Sequence, residues 1–183
     1  MPLDIRLSTE HLILRPVAAQ DLDMVHHLNS LPETDRYNTM GIPAELSATE
    51  TVMQGWFGEI AQGKKYVFVM EGTGGSFIGL AGMNIDRPHY AKAEIWYKLF
   101  PEHWGKGLAT ETVRGLLQFG FRQLSLHRIE AGCATENAAS ARVLQKAGFI
   151  QEGLSRKVLP IRGEWKDGYN FGLLQEEWLL NNS

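Results

Sequence analysis

The strongest candidate for ligand binding is a glycine-containing segment, WGKGLAT at residues 104–110. It lies between a predicted strand that ends near Leu99 and a predicted helix that starts near Gly107. Two glycines allow a turn in which successive backbone N–H groups converge, and a helix N-terminus adds positive potential. Lys106 adds a point charge. The segment could therefore hold a pyrophosphate without magnesium, or it could be a turn that only starts a helix.

A pair of basic residues lies in a second segment with helical spacing, NAASARVLQKAGF at residues 137–149. Asn137 is suited to the N-cap of this helix, and Gly148 to its C-terminal end. Arg142 and Lys146 are four residues apart and share a helix face. They could contact phosphates, or they could form an ordinary solvated basic face.

Metal and thiol chemistry have little support in this sequence. The six histidines form no H-x-H or H-E-x-x-H pair, so we expect no metal site. The single cysteine, Cys133, is expected on a strand face with Ile129 and Ala131, as a small buried hydrophobic residue and not as a nucleophile.

Charge and composition exclude several classes of protein. The 18 Lys and Arg residues are outnumbered by 21 Asp and Glu residues, so the net charge of −3 offers no basic field for nucleic acid. A single cysteine excludes an internal disulfide and suits a reducing compartment, which predicts a cytoplasmic protein. We expect neither a membrane span nor a signal peptide, because no long uncharged apolar run is present.

These residues must be positioned by alternating strands and helices in one domain over residues 1–183. Strands are predicted at 11–17, 66–70, 76–85, 92–100, 127–134, 149–159 and 165–175, and helices at 19–29, 48–62, 108–123 and 137–149. Residues 47–50 (SATE) have the pattern of a capping box, and residues 30–46 are predicted to be an irregular loop. The strand–helix–strand segment from 92 to 134 predicts a parallel crossover, whereas the hairpin before it is antiparallel. The expected fold is a mixed α/β sheet with helices on both faces.

In four segments the sequence resembles the GNAT superfamily of acyl-CoA-dependent N-acetyltransferases, and within it the RimJ/RimL-like group that acetylates protein N-termini. The segments are LILRPVAAQDL (12–22), AEIWYKLFPEHWGKGLATET (93–112), HRIEAGCATENAASARVLQKAGFIQEG (127–153) and GEWKDGYNFGLLQEEW (163–178). The resemblance implies a largely antiparallel sheet of about seven strands, splayed between strands 93–99 and 127–134.

Acetyl-CoA would lie in that opening, according to the same resemblance, and no metal is required. Its pantetheine would pair with the backbone of Leu99, Phe100 and Pro101, and Asn137 and Ser140 would lie beside the pantetheine and thiol. Its pyrophosphate would bind the amides of Trp104, Gly105, Lys106, Gly107, Leu108, Ala109 and Thr110.

The chemistry that the resemblance implies needs a base, because a protonated amine cannot attack a thioester. Glu94 matches the base position, with a glutamate on a solvated sheet face as the alternative. A backbone N–H near Leu99 would stabilise the oxyanion, and the leaving thiolate would take a proton from Ser140 or water. Many GNAT members carry a tyrosine where this chain has Leu144, so Ser140 is the candidate acid, or a helix-surface serine with a local hydrogen bond.

The resemblance implies an acetyl acceptor with a free amine. We expect a primary amine, with the N-terminus of a protein first and a small amine such as a polyamine, an antibiotic or an amino-acid analogue as the alternative. A non-catalytic acyl-CoA sensor is a further alternative. The loop at residues 30–46 is expected to help form the acceptor site, and the protein is expected to be a monomer or a homodimer.

Overall fold

A single sheet of eight strands, in the order β1-β2-β3-β4-β5-β6-β8-β7, runs through the computed structural model, which describes residues 5–181 apart from the side chain of Pro88. Every neighbouring pair is antiparallel except β5 and β6. The strands are β1 Leu7–Ser8, β2 Leu12–Pro16, β3 Lys65–Gly72, β4 Phe77–Ile85, β5 Lys92–Leu99, β6 Arg128–Ala134, β7 Ile150–Ile161 and β8 Glu164–Leu174.

Helices cover both faces of the sheet, as the sequence predicts. They are α1 Leu22–Ser30, α2 Pro32–Asp35, α3 Leu46–Ala61, α4 Leu108–Gln118, α5 Ala138–Lys146 and α6 Gln175–Asn181. β3 shows why two layers form: its Val67 and Val69 pack with α1 and α3, whereas its Phe68 and Met70 pack with α4. Alternating side chains point to opposite faces, so a strand that is apolar at every position must be covered on both.

The two central strands separate after a short parallel seam. β5 and β6 pair only at Lys92–Arg128, Ala93–Ile129 and Glu94–Glu130. Beyond Glu94 the two strands diverge, and the opening between residues 95–99 of β5 and 131–134 of β6 is called the wedge below. α4 forms the crossover between these strands, and α5 begins directly after β6.

The expectations for the mixed sheet, its largely antiparallel order and its flanking helices are confirmed, and three details differ. The sheet has eight strands instead of about seven, because β1 adds a two-residue edge strand. The capping box at residues 47–50 is wrong: α3 starts at Leu46 after Glu45, and no side chain caps it. The loop at 30–46 contains the short helix α2.

Candidate active site

Glu94 lies at the apex of the wedge, at the last position where β5 pairs with β6. Its neighbours across the sheet are Asn84 on β4 and Glu130 on β6. The Glu94 side chain is exposed, yet nearby protein atoms desolvate part of it, and this together with the Glu130 carboxylate raises its pKa against the opposing effect of Lys92. A carboxylate with a raised pKa is a stronger proton acceptor than an ordinary one.

Glu130 differs from Glu94 because two cationic side chains form ion pairs with it. Arg128 Nε lies 2.8 Å from its Oε1 and Lys92 Nζ lies 3.1 Å from its Oε2. Partial burial raises the pKa of Glu130, but these bonds outweigh burial, and the net change is a lowered pKa. Of the two facing carboxylates, Glu94 is therefore the one suited to accept a proton.

This difference predicts a pH effect of the substitution Glu130→Gln. Without the charge of Glu130, the pKa of Glu94 should fall, because the like charge is gone and Lys92 remains. The acid limb of the kcat/KM profile should then move to lower pH. The matched control is Glu152→Gln, since Glu152 also binds Arg128, at 2.9 Å, but does not face Glu94. An acid limb that stays in place or rises in Glu130→Gln would contradict the assignment of Glu94 as the base.

The wedge encloses a cavity of about 150 Å³. Tyr37, from the segment after α2, covers one side, and its hydroxyl donates to the Glu136 carbonyl at 3.1 Å. The cavity is lined by Tyr37, Ile95, Trp96, Tyr97, Ala131, Gly132, Cys133, Ala134, Asn137, Ser140 and Leu144. The predicted pair Asn137 and Ser140 thus lies at the cavity, whose lining also includes Ile95, the residue after Glu94.

The start of α5 is built as the sequence predicts. Asn137 is the N-cap, and its Oδ1 accepts from the Ser140 N–H at 3.1 Å. Ser140 Oγ lies 2.8 Å from the hydroxyl of Tyr97, a contact between residues 43 positions apart that sequence reasoning missed. Burial raises the pKa of the Cys133 thiol, and Cys133 is buried as expected.

The loop before α4 requires glycine at two positions. Gly105 has φ +72° and Gly107 has φ +82°, values that residues with a Cβ rarely adopt. Gly107 is the N-cap of α4, and no side chain caps this helix. The side chains of Leu108 and Ala109 pack against the core, so the first amides of α4 are held in place while Lys106 stays exposed.

Trp104 has a different position from the one expected. Its backbone N–H donates to the Pro101 carbonyl at 3.1 Å and its indole Nε1 donates to the Leu99 carbonyl at 2.9 Å. The side chain therefore fixes the loop to the end of β5, and the Trp104 amide is not free for a pyrophosphate. Gly105, Lys106, Gly107, Leu108, Ala109 and Thr110 remain as the predicted amide donors.

Backbone hydrogen bonds at the end of β5 reduce the number of backbone groups that could bind the pantetheine. The Phe100 N–H donates to the Ile78 carbonyl at 3.0 Å, and the Phe100 carbonyl accepts from the His103 N–H at 3.0 Å. Proline has no N–H, so Pro101 offers no donor. In an antiparallel pair alternate residues point to opposite sides, so the backbone N–H groups of Tyr97 and Leu99 face the wedge.

Glu94, Trp96 and Lys98 share the face of β5 that is covered by α1 and α3, as alternation predicts. Trp96 lies against Trp56 of α3, with 6.0 Å between ring centroids. Lys98 Nζ donates to Asn29 Oδ1 at 2.8 Å, and burial lowers the pKa of Lys98 to about 8 although Asp35 opposes the change. This side of the wedge is thus flanked by half-buried polar and aromatic groups.

Among the predicted site residues, Asn137 and Ser140 line the cavity and the others do not. Arg142 and Lys146 are exposed on α5, four positions apart, and neither lines the wedge. Their contact with phosphates stays a prediction.

The match to a known protein family identifies the family of this chain. The family described as "Acetyltransferase (GNAT) domain" matches residues 11–150. The chain belongs to the GNAT family of acetyltransferases. This GNAT chain is also 33% identical to the "Uncharacterized N-acetyltransferase p20" of Bacillus licheniformis, over 94% of this chain and 97% of that protein.

Solved structures agree with the GNAT fold. Spermidine N-acetyltransferase from Vibrio cholerae, in complex with CoA and spermine, has a TM-score of 0.83 and 27% identity, covering 92% of this chain and 98% of that one. Mycobacterium smegmatis RimJ, in complex with CoA-disulfide, has a TM-score of 0.86 and 22% identity, covering 99% of this chain and 96% of that one. The expected family, fold and acyltransferase class are thereby confirmed.

The co-substrate of this GNAT enzyme is acetyl-CoA, and the residues present fit it. The open N–H groups of Tyr97 and Leu99 suit the amide groups of pantetheine, and the uncapped start of α4 suits a pyrophosphate. Within residues 5–181 no group of three His, Cys, Asp or Glu side chains could hold a metal ion. None of the helices among these residues is long and apolar enough to cross a membrane.

Proposed function

We propose that this chain, acting as one N-acetyltransferase domain over residues 1–183, transfers acetyl from acetyl-CoA directly to the N-terminal amine of a protein. The observation that carries the proposal is the position of Glu94. It is an ionisable carboxylate with a raised pKa, at the apex of a wedge whose cavity carries Asn137 and Ser140. Acceptor amine and thioester can meet there in one ternary complex.

Each step can be assigned to groups of the chain. When bound, acetyl-CoA supplies the acetyl thioester. Glu94 takes the proton of the acceptor ammonium, directly or through water. The Leu99 N–H donates to the oxygen on which negative charge develops, and the Ser140 hydroxyl donates toward the leaving sulfur. No covalent intermediate on the protein is needed.

The acceptor side favours a peptide. The segment that brings Tyr37 to the cavity continues with Met40 and Ile42, which are 71% and 46% exposed. An apolar rim suits the side chains of a peptide more than it suits a polyamine. A polyamine is the second candidate, because the Vibrio cholerae relative acts on spermidine and because the buried Asn84 Oδ1 beside Glu94 has no hydrogen-bond partner within the described residues.

The test is a screen of acetyl-CoA turnover, with release of the coenzyme A thiol as the readout. The acceptors are peptides with a free N-terminal amine, the same peptides with a blocked N-terminus, spermidine and spermine, and amine antibiotics. We expect turnover with free N-termini and loss of turnover when the N-terminus is blocked. Turnover with polyamines alone would favour the second candidate, and cofactor binding without turnover on any amine would favour a sensor.

Two further expectations accompany this proposal. The lone, buried Cys133 supports a cytoplasmic location. The protein is proposed to work as a monomer or a homodimer, which the molar mass in solution would test.

A further inference from the structure

Among the described residues, three that carry hydroxyl groups line the cavity of the wedge, and two of these hydroxyls touch each other. The Tyr37 hydroxyl donates away from the cavity, to the Glu136 carbonyl. The hydroxyls of Tyr97 and Ser140 lie 2.8 Å apart, with Tyr97 on β5 and Ser140 on the first turn of α5. The pair therefore bridges the two walls of the wedge on the side where Cys133 also lies.

The direction of this hydrogen bond follows from the chemistry of the two groups. A phenol is a more acidic hydroxyl than the aliphatic alcohol of serine, so the better donor in the pair is Tyr97. Its oxygen also lies 3.4 Å from the Ser140 carbonyl, which can only accept. Burial raises the pKa of Tyr97 to about 12, so Tyr97 keeps its proton at neutral pH.

The Ser140 hydroxyl still has its own hydrogen to donate. Its N–H is bound by Asn137, which fixes the backbone, and its Oγ accepts from Tyr97, which occupies a lone pair. The Ser140 O–H is then available as a donor, because Tyr97 supplies the hydrogen between the two oxygens. Ser140 and Cys133 both line the cavity, and Ser140 lowers the pKa of the Cys133 thiol against the larger effect of burial.

We propose that Tyr97 is a positioning residue of the acetyl transfer: its phenol donates to Ser140 Oγ and so directs the Ser140 O–H toward the sulfur that leaves. The inference rests on the proposed function, because it gives a partner to the Ser140 hydroxyl. No proton passes between the two hydroxyls. The electron pair of the broken C–S bond goes to sulfur, and the Ser140 hydrogen bond stabilises the charge on it.

The test uses coenzyme A alone, without an acceptor, and the wild-type protein beside Tyr97→Phe, Ser140→Ala and the double variant. The readout is the pKa of the bound thiol, followed by the ultraviolet absorbance of its thiolate after subtraction of the free protein, which removes the contributions of Cys133 and the tyrosines. Tyr97→Phe should raise the thiol pKa by about half to one pH unit, the size of one hydrogen bond. Ser140→Ala should raise it at least as much.

The double variant separates positioning from a direct contact. If Tyr97 acts only through Ser140, the double variant should match Ser140→Ala instead of adding the two effects. Tyr37→Phe is the matched control, because it removes a phenol hydroxyl from the same cavity and should leave the thiol pKa unchanged. Tyr97→Phe keeps the ring, so the affinity for coenzyme A should change less than about twofold.

Two results would overturn the inference while coenzyme A still binds. One is a thiol pKa in Tyr97→Phe equal to that of the wild type, and the other is additive effects in the double variant. Failure of the wild-type protein to bind coenzyme A would instead overturn the proposed function, and this inference with it.

Discussion

Replacing Glu94 by glutamine should lower kcat at neutral pH by about 100-fold or more, the usual contribution of a general base. The affinity for acetyl-CoA should stay nearly intact, because Glu94 lies at the apex of the wedge and does not line its cavity. Glutamine keeps the size of the side chain and removes only its ability to accept a proton. Steady-state rates together with calorimetric titration of acetyl-CoA would measure both quantities.

The pH dependence of the rate provides a second test of the role of Glu94. Without a base, the enzyme depends on acceptor molecules that have already lost a proton, so the rate of Glu94→Gln should climb with pH toward the pKa of the acceptor amine. The wild-type rate should instead rise at the raised pKa of Glu94 and then level off. Glu152→Gln, an exposed strand glutamate three strands away, is the control and should keep wild-type kcat. Unchanged turnover in Glu94→Gln would remove Glu94 from the reaction.

The substitution Gly107→Val should abolish measurable binding of acetyl-CoA, with an expected loss of affinity of at least 100-fold. Gly107 has φ +82° at the N-cap of α4, so a β-branched residue must change the loop that presents the amides. Because those amides and the helix N-terminus are the proposed pyrophosphate site, the loss should appear in binding itself. Calorimetric titration is the measurement.

A second glycine separates loss of binding from loss of folding. Gly75, in the turn between β3 and β4, has φ +77° and, like Gly107, open space where a Cβ would lie. Gly75→Val should therefore suffer a similar backbone strain, about 1–2 kcal/mol, and a similar loss of thermal stability. Its affinity for acetyl-CoA should be that of the wild type. Normal affinity in Gly107→Val would eliminate the loop as the phosphate site.

Local features of this site could be predicted from the sequence because they depend on neighbours in the chain. The left-handed glycines at 105 and 107, the N-cap Asn137 and the alternation that places Glu94 beside Trp96 and Lys98 all follow from residue type and spacing. The capping box at residues 47–50 failed because α3 begins one residue before Ser47, so its side chain lies inside the helix and not at the cap.

Contacts between distant parts of the chain could not be predicted in this way. The bond between Tyr97 and Ser140 depends on the distance between β5 and α5, which only the packed sheet sets. The bond of the Trp104 indole with the Leu99 carbonyl depends on the turn after β5. The depressed pKa of Lys98 depends on burial under α1. No sequence period encodes any of these three.

The short seam between β5 and β6 has a mechanical consequence. Within residues 5–181 the sheet consists of two parts, β1–β5 and β6–β8, whose strands pair with each other at three residue positions. A molecule that binds both the edge of β5 and the start of α5, which follows β6, connects the two parts of the sheet. Its binding free energy then adds to the resistance of the whole fold to unfolding, by an amount that grows with ligand concentration. Ligand binding and the folding stability of the protein are thus thermodynamically coupled.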